Sequence, residues 1–324
     1  MARHEVDAPG AGVVARGREA WPDTLRVVII AGVIAMHAAT GYVVDVGWYY
    51  EERTSSEAWQ IGLTVPAFLG GLFALGPLFF VAGWLSAPSL ARKGPRAFAA
   101  GRLLRLGVPL LVFTFLIDPV ADYAGHRARG GRESLLDYLA NRTGARDTGP
   151  LWFVAVILLF SLGYAAWRHW RPETGEPAEP RARDLVAAVG VIALVSFVVW
   201  QWSSLADDSW YNLKWAQWPQ GGVLFLVGIW AGERPWLDTW LPRRAGRLGW
   251  TALGALVVLL GLAGLGLASD DVEVIAGSAN LATFAFAWCD GTIAVAGGLW
   301  LVAALRRRHP RSSWWRAAAA RSSY

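Results

Sequence analysis

Residues 248–268 read LGWTALGALVVLLGLAGLGLA and include no charged side chain. A helix of this length extends about 32 Å at 1.5 Å per residue, which matches the roughly 30 Å hydrocarbon core of a bilayer. The run also lacks the regular polar positions that mark the surface helices of soluble proteins. This segment therefore predicts a transmembrane helix.

Seven further blocks of the chain have the same apolar character. The predicted fold class is all-α, a polytopic transmembrane helical bundle with about eight spans in the 324 residues. In the second block Pro66, Gly70, Gly71 and Pro77 interrupt the pattern, and we expect a kink there. The eight predicted spans are 24–44, 62–87, 103–121, 150–167, 185–205, 219–233, 248–268 and 281–305.

Three parts follow from this division of the chain. Residues 1–23 form a leader that we expect on the cytoplasmic side, and residues 24–305 form the membrane domain. Residues 306–324 form a basic tail that ends in small apolar residues, as at the start of a further, truncated span. The first apolar block lacks a clear small-residue cleavage site, so it is expected to stay in the mature protein as a span.

Composition narrows the class of function. Apolar residues make up 55% of the chain, and its net charge is +5. The basic residues lie in short loops between apolar blocks, where they orient helices and meet lipid headgroups, so we expect the lipid bilayer and no nucleic acid as a partner. The single cysteine, Cys289, excludes an internal disulfide and a cysteine-based metal cluster.

The basic residues also predict an orientation. Of the 30 lysines and arginines, 23 fall on the side of the amino terminus, which the positive-inside rule makes cytoplasmic. With a composition rich in arginine, alanine and glycine, this predicts a multi-pass protein of the bacterial inner membrane. The loop 122–149 is the exception, and it is either a folded loop that contacts substrate or a sign that span 103–121 is misassigned. Its basic residues are Arg127, Arg129, Arg132, Arg142 and Arg146.

The first span carries a histidine at depth. His37 follows Arg26 by eleven residues, or about 16 Å and almost three turns of helix, so both side chains face the same side. An ionisable residue inside a membrane is costly and indicates a functional site. Histidine exchanges a proton near neutral pH and can act as a general base towards a hydroxyl. The alternative is a structural histidine that is hydrogen-bonded to a neighbouring helix.

Arg102 and Arg105 mark the point where the chain re-enters the membrane. On a regular α-helix, residues three apart share a face. Two guanidinium groups there would suit a phosphate or pyrophosphate ligand that arrives from the cytoplasm. Plain anchoring by the positive-inside rule is the alternative for these two residues.

Several segments, in this order, resemble the acyltransferase 3 family of membrane acyltransferases. Arg26 and His37 match the family signature of an arginine, ten residues and a histidine in its first helix. The later segments are PLFFVAGWL (77–85), RLLRLGVP (102–109), GPLWFVAVILLF (149–160) and WPQGGVLFLVGIWAGE (218–233). Together they cover most of residues 20–235, and the ordered set is more specific than any one segment.

The resemblance implies a fold of about ten helices, so this chain is expected to be truncated at its carboxyl end. It implies an enzyme that transfers an acyl group, acetyl in most members, from acyl-coenzyme A to a hydroxyl of a carbohydrate or related acceptor. His37 would be the catalytic residue, either as a base or as the carrier of the acyl group. Arg26, Arg102 and Arg105 would bind the coenzyme A phosphates, and no metal is implied.

Two departures from the family pattern keep other functions open. Ala82 stands where many members have a serine, and the acidic residues that often follow the family's tryptophan are absent after Trp152. A carboxylate partner for His37 would have to come from Asp23, Asp45 or Asp118, or would be absent. The alternatives are a transporter of a polysaccharide unit or small anion, and a non-catalytic membrane scaffold.

Overall fold

A computed structural model shows a helical protein, with no β-strand among the residues it describes. These residues are 20–43, 52, 54–73, 75–141, 148–171, 179–203, 212–268 and 278–308. The leader before Ala20, the tail after Arg308 and Asp45 lie outside this part of the chain, and so do Arg142 and Arg146.

The helices follow one another as expected for a membrane bundle. In chain order they are α1 (Trp21–Val43), α2 (Glu57–Phe73), α3 (Gly76–Arg102), α4 (Val108–Val112), α5 (Asp118–Ala128), α6 (Leu135–Asn141), α7 (Trp152–Trp170), α8 (Ala182–Val199), α9 (Trp218–Glu233), α10 (Trp236–Thr239), α11 (Leu241–Ala268), α12 (Leu281–Thr292) and α13 (Gly298–Arg308). Three π-helical turns join neighbouring helices without a break, at Leu103–Gly107, Phe113–Ile117 and Ile293–Gly297.

Six helical runs among the described residues are long and apolar enough to cross a membrane. The longest, Ala58–Ala128, contains a reversal at Gly94, where φ is 74° and ψ is 163°. In a straight helix, Ser86 and Arg102 would be about 24 Å apart. Instead an Arg102 Nη2–H group donates a hydrogen bond of 2.8 Å to Ser86 Oγ. The run therefore turns back on itself and makes two passes, and glycine fits the positive φ at the turn.

The predicted second span, 62–87, covers the end of α2 and the first part of α3. In the described residues α2 ends at Phe73 and α3 begins at Gly76. Both parts run antiparallel to α1, because Trp21 packs on Trp84 with ring centroids 5.0 Å apart while Met36 faces Gly70. The two contacts are fifteen residues apart on α1 and fourteen residues apart along α2 and α3, so α2 and α3 continue in the same direction.

The predicted third span, 103–121, is part of a longer helical path. This path runs from the Gly94 turn to Ala128 through two π-helical turns. Its last part, α5, forms a folded helical hairpin with α6, so the basic loop is structured where it is described. With both arms of the Gly94 reversal counted, the six candidate runs give seven passes, and the 16-residue α9 brings the number close to the predicted eight.

The tightest packing in the bundle joins α3 and α9. A Cβ on Gly83 would lie 2.0 Å from the carbonyl oxygen of Phe225, and a Cβ on Gly228 would lie 2.1 Å from that of Phe80. The two backbones touch at this crossing, as small residues allow in membranes. Contacts advance in the same direction on both helices, from Gly76 beside Gln220 to Trp84 beside Gly232, so the helices run parallel.

Around this pair the other helices close the bundle. On α7, Phe160 packs on Phe79 of α3 and on Phe225 of α9, with ring centroids 6.0 and 5.8 Å apart. At the far side α8 runs antiparallel to α12, with Ile192 against Gly291 and Trp200 against Phe286. The core is therefore centred on α3, α7 and α9.

Gly83→Ala should destabilise the protein strongly. The new Cβ would collide with backbone, which cannot rotate away, so the loss should reach or exceed the usual overpacking cost of about 1–3 kcal/mol. Thermal unfolding of the detergent-purified protein, followed by tryptophan fluorescence, measures this effect. Gly254→Ala is the matched control because nothing lies within 4 Å of its Cβ position. Equal midpoints for the two variants would contradict the close helix crossing.

Candidate active site

One uninterrupted helix carries the predicted catalytic residue and the first predicted donor-binding residue. Arg26 and His37 both lie on α1, so the helical spacing assumed from the sequence holds and their Cα atoms are about 16 Å apart along the axis. The Arg26 guanidinium lies 3.7 Å from Asp23 Oδ1, in a pair whose side chains are each about one-fifth exposed or less. This pair belongs to the first turns of α1.

His37 is partly buried, and its ring is oriented by its own helix. Its Nδ1 lies 2.8 Å from the carbonyl oxygen of Val33. A carbonyl can only accept a hydrogen bond, so Nδ1 must carry the proton. In the neutral ring the basic lone pair is then on Nε2. The geometry thus assigns the proton-accepting atom of this histidine.

The three carboxylates considered as partners for His37 lie in different places. Asp23 is about 21 Å away along α1 and is paired with Arg26. Asp118 is buried at the start of α5, and Asp45 lies outside the described residues. The described hydrogen bond on Nδ1 is the one to the Val33 carbonyl.

Arg102 is held inside the hairpin formed at Gly94. Ser86, which is fully buried, donates a hydrogen bond of 2.6 Å to the Ala82 carbonyl and accepts the one from Arg102. The Arg102 guanidinium also lies 5.1 Å from the centre of the buried Phe98 ring. Ser86, one helical turn after Ala82, thus supplies a hydroxyl on the same helix face. The resemblance described above leads us to expect a serine at position 82.

Arg105 has different surroundings from Arg102. It is exposed and lies in the π-helical turn Leu103–Gly107. A π-helical turn closes over five residues and is wider than an α-helical turn, so residues three apart do not share a face as they would on a regular α-helix. The sequence pattern could not show this, and the two arginines present their charges differently.

The beginning of α1 meets the Ser86–Arg102 hairpin. Trp21, five residues before Arg26, packs on Trp84, two residues before Ser86. Arg26 and Arg102 therefore lie on neighbouring segments near the same end of the bundle, which we call the Gly94 end. His37 lies deeper, towards the opposite end.

A second ion pair lies at the Gly94 end. Arg168 Nη2 lies 2.9 Å from Glu233 Oε1, and the Tyr164 hydroxyl donates to the same oxygen at 3.2 Å. The group joins the ends of α7 and α9 and neutralises the carboxylate that would otherwise repel an anionic ligand there. This group was not predicted from the sequence, although its glutamate ends the segment 218–233.

A polar pair inside the bundle was likewise not predicted from the sequence. Gln220 Nε2 donates a hydrogen bond of 3.2 Å to Asp290 Oδ1, and both side chains are buried. The pair joins α9 to α12 close to the π-helical turn Ile293–Gly297. Interhelical hydrogen bonds of this kind hold membrane helices together.

A surface cavity of about 440 Å³ opens beside α1, between its second half and α2. Its lining includes Ala38, Ala39 and Tyr42 on α1 and Trp59 on α2. At about 100° per residue, Ala39 and Tyr42 lie towards the opposite side of α1 from His37, and Ala38 lies about a quarter turn away. His37 is not among the residues that line the cavity. Within the described residues, no group of three or more histidine, cysteine or acidic side chains is placed to hold a metal.

Ser86→Ala should lower the stability of the protein by about 1–3 kcal/mol, since it leaves the buried end of the Arg102 guanidinium without this acceptor. Ser161→Ala is the matched control: Ser161 is as fully buried, and its hydroxyl has no hydrogen-bond partner among the described residues. Thermal midpoints of the two variants in detergent measure the difference. A loss in the control as large as that in Ser86→Ala would show that the Arg102 contact contributes nothing.

Comparison with known proteins identifies the family. A family model described as an acyltransferase domain, that of acyltransferase 3, matches residues 19–324. The comparisons with curated proteins and with solved structures gave no significant match. The match includes every helix described above, with Arg26, His37, Ser86 and Arg102 among the residues it covers. The chain therefore belongs to the acyltransferase 3 family and is a multi-pass membrane acyltransferase.

Proposed function

We propose that the protein transfers an acyl group, acetyl in the first instance, from acyl-coenzyme A to a hydroxyl of a carbohydrate or related acceptor. In this proposal His37 is the catalytic residue, and Arg26, Arg102 and Arg105 bind the phosphates of the donor. The observation that carries it is the placement of Arg102, held by Ser86 at the same end of the bundle as Arg26 and away from His37.

The elongated shape of the donor suits the distance between the arginines at the Gly94 end and His37. Acyl-coenzyme A carries its phosphates at one end and its thioester at the other, joined by a long narrow arm. Phosphates bound by arginines at the Gly94 end would leave the arm free to extend between helices towards His37. A guanidinium held by a serine hydroxyl keeps its planar fork oriented, which favours bidentate contact with a phosphate.

His37 Nε2 is the atom that would take part in the chemistry. Acting as a base, it accepts the proton of the acceptor hydroxyl while the oxygen attacks the thioester carbonyl. The carbon–sulfur bond then breaks, and the proton passes to the departing thiolate to give free coenzyme A. In the acyl-carrier role, the same nitrogen would attack the thioester first and pass the acyl group to the hydroxyl.

The orientation in the membrane follows from the charges. Basic side chains collect at the Gly94 end, where Arg92, Lys93 and Arg96 flank the turn and Arg306, Arg307 and Arg308 end α13. By the positive-inside rule this end faces the cytoplasm, and so does the amino terminus. The proposed setting is the bacterial inner membrane, with the donor arriving from the cytoplasm. An acceptor hydroxyl would approach His37 from the opposite side.

His37→Ala should reduce acyl transfer by about 10²–10⁴-fold, the usual contribution of a general acid–base group, while the protein still inserts and folds. Release of free thiol from acetyl-coenzyme A by the purified full chain in detergent measures the rate. His169→Ala is the control, because His169 is an exposed histidine at the end of α7.

Unchanged thiol release in His37→Ala would contradict the catalytic role. An absence of thiol release and of donor binding in the unchanged protein, with any short acyl-coenzyme A, would contradict the proposed reaction. A labelled acyl group that remains on the protein after the donor is removed, and is lost in His37→Ala, would select the acyl-carrier role.

Arg102→Gln should raise the KM for acyl-coenzyme A by roughly 10–100-fold with a smaller change in kcat, since one charge-assisted contact with phosphate contributes about 1.5–3 kcal/mol. Arg96→Gln is the control, because Arg96 is an exposed arginine close to the Gly94 turn. Steady-state kinetics with varied donor measures both variants. A fall in kcat without a change in KM would place Arg102 outside the donor site.

A further inference from the structure

The helical hairpin at the end opposite Gly94 is a compact unit. This distal hairpin comprises residues 118–141, with α5 and α6 as its two arms. The Tyr138 hydroxyl donates a hydrogen bond of 2.8 Å to Asp122 Oδ2, and the Tyr123 and Tyr138 rings lie 5.6 Å apart. These contacts place Tyr138 opposite residues 122 and 123, so the arms are antiparallel and α6 returns towards the membrane.

Three acidic side chains of the distal hairpin form contacts within it. Glu133 pairs with His126, and Asp137 accepts a hydrogen bond of 2.6 Å from the Ser134 hydroxyl. Asp122 accepts the bond from Tyr138. A fourth acidic residue, Asp118, is buried at the start of α5. The three contacts hold the turn and the two arms together.

The arginines of the tip are placed differently. Arg127, Arg129 and Arg132 are all exposed and lie within six residues around the turn. Arg127 donates a hydrogen bond of 2.9 Å to the Gly131 carbonyl, whereas Arg129 and Arg132 form no ion pair among the described residues. In the rest of the chain most basic residues lie at the Gly94 end, so the arginines at this end are an exception to that distribution. The tip is an exposed cationic surface.

Apolar side chains lie between this tip and the membrane. On α6, Leu135, Leu136 and Leu139 are 36%, 78% and 39% exposed. Leu139 adjoins Tyr138 and is therefore near the level of Val120, which is itself 48% exposed and ends the apolar stretch of this helical path. Leucines on the membrane side and arginines beyond them form the pattern of an interfacial amphipathic segment.

We propose that the distal hairpin lies in the membrane interface and binds the phosphate headgroup of an anionic phospholipid. Arg129 and Arg132, with Arg127 beside them, bind the phosphate, while the α6 leucines contact the upper part of the acyl chains. Arginine suits this ligand because its planar fork matches phosphate oxygens. The proposal rests on charge and exposure alone and is independent of the reaction proposed above.

The test uses the full chain in vesicles with a photoreactive phosphatidylglycerol, and labelled residues are located by mass spectrometry. We expect labels on residues 130–141 of the unchanged protein, and weaker labelling with photoreactive phosphatidylcholine. Each arginine near an anionic surface contributes about fivefold in affinity, so Arg129→Gln with Arg132→Gln should reduce this labelling by roughly 25-fold.

Arg92→Gln with Arg96→Gln removes the same charge at the other end of the bundle and should leave the distal labelling unchanged. Leu136→Ser should weaken it without any change of charge. Tryptophan fluorescence and size-exclusion profiles confirm that the variants are folded.

Labelling of residues 130–141 that persists in the double arginine variant would overturn the proposal, as would equal labelling by the two lipids. Loss of labelling on addition of millimolar inorganic phosphate would also overturn it, because the site would then serve a free phosphorylated ligand.

Discussion

The contact between the backbones of α3 and α9 is the constraint on which the rest of the structure depends. At Gly83 and Gly228 there is no room for a Cβ, so the two helices run side by side at a distance that no larger residue would permit. In a membrane, association of helices depends on such close packing, since the lipid is as apolar as the side chains. With α3 fixed in this way, α7 packs across both helices through Phe160, and α1 packs on α3 through Trp21.

The reversal at Gly94 places residues of the candidate site beside these packed helices. Because the chain turns back after α3, Arg102 returns to the level of Ser86 and forms a hydrogen bond across the hairpin. The same segment of α3 meets the first turn of α1, which precedes Arg26. Two of the arginines expected from the family resemblance are thus carried by neighbouring segments, whereas Arg105 is turned outwards by a π-helical turn. His37 is reached only by following α1 towards the other end.

Sequence alone predicted most of the fold and less of the site. The apolar blocks and their approximate number needed only the length and composition of each segment. The Ser86–Arg102 hydrogen bond, which depends on the sharp turn at Gly94, joins residues that are 16 positions apart. The Gln220–Asp290 pair joins residues that are 70 positions apart. The periodicity of a single helix does not indicate which of its buried polar groups will contact a polar group on another helix.

By itself the sequence determined that the chain is a helical membrane protein, that its basic residues favour one side, and that its ordered motifs resemble one family. These properties are local, because a helix in hydrocarbon satisfies its own backbone and needs only enough apolar residues. Tertiary structure alone decided that Ser86 accepts a hydrogen bond from Arg102, that Gln220 meets Asp290, and that the described part of the basic loop folds as a hairpin. These depend on neighbours brought together by packing, and a polar group in the membrane interior acquires its role from the partner that it meets there.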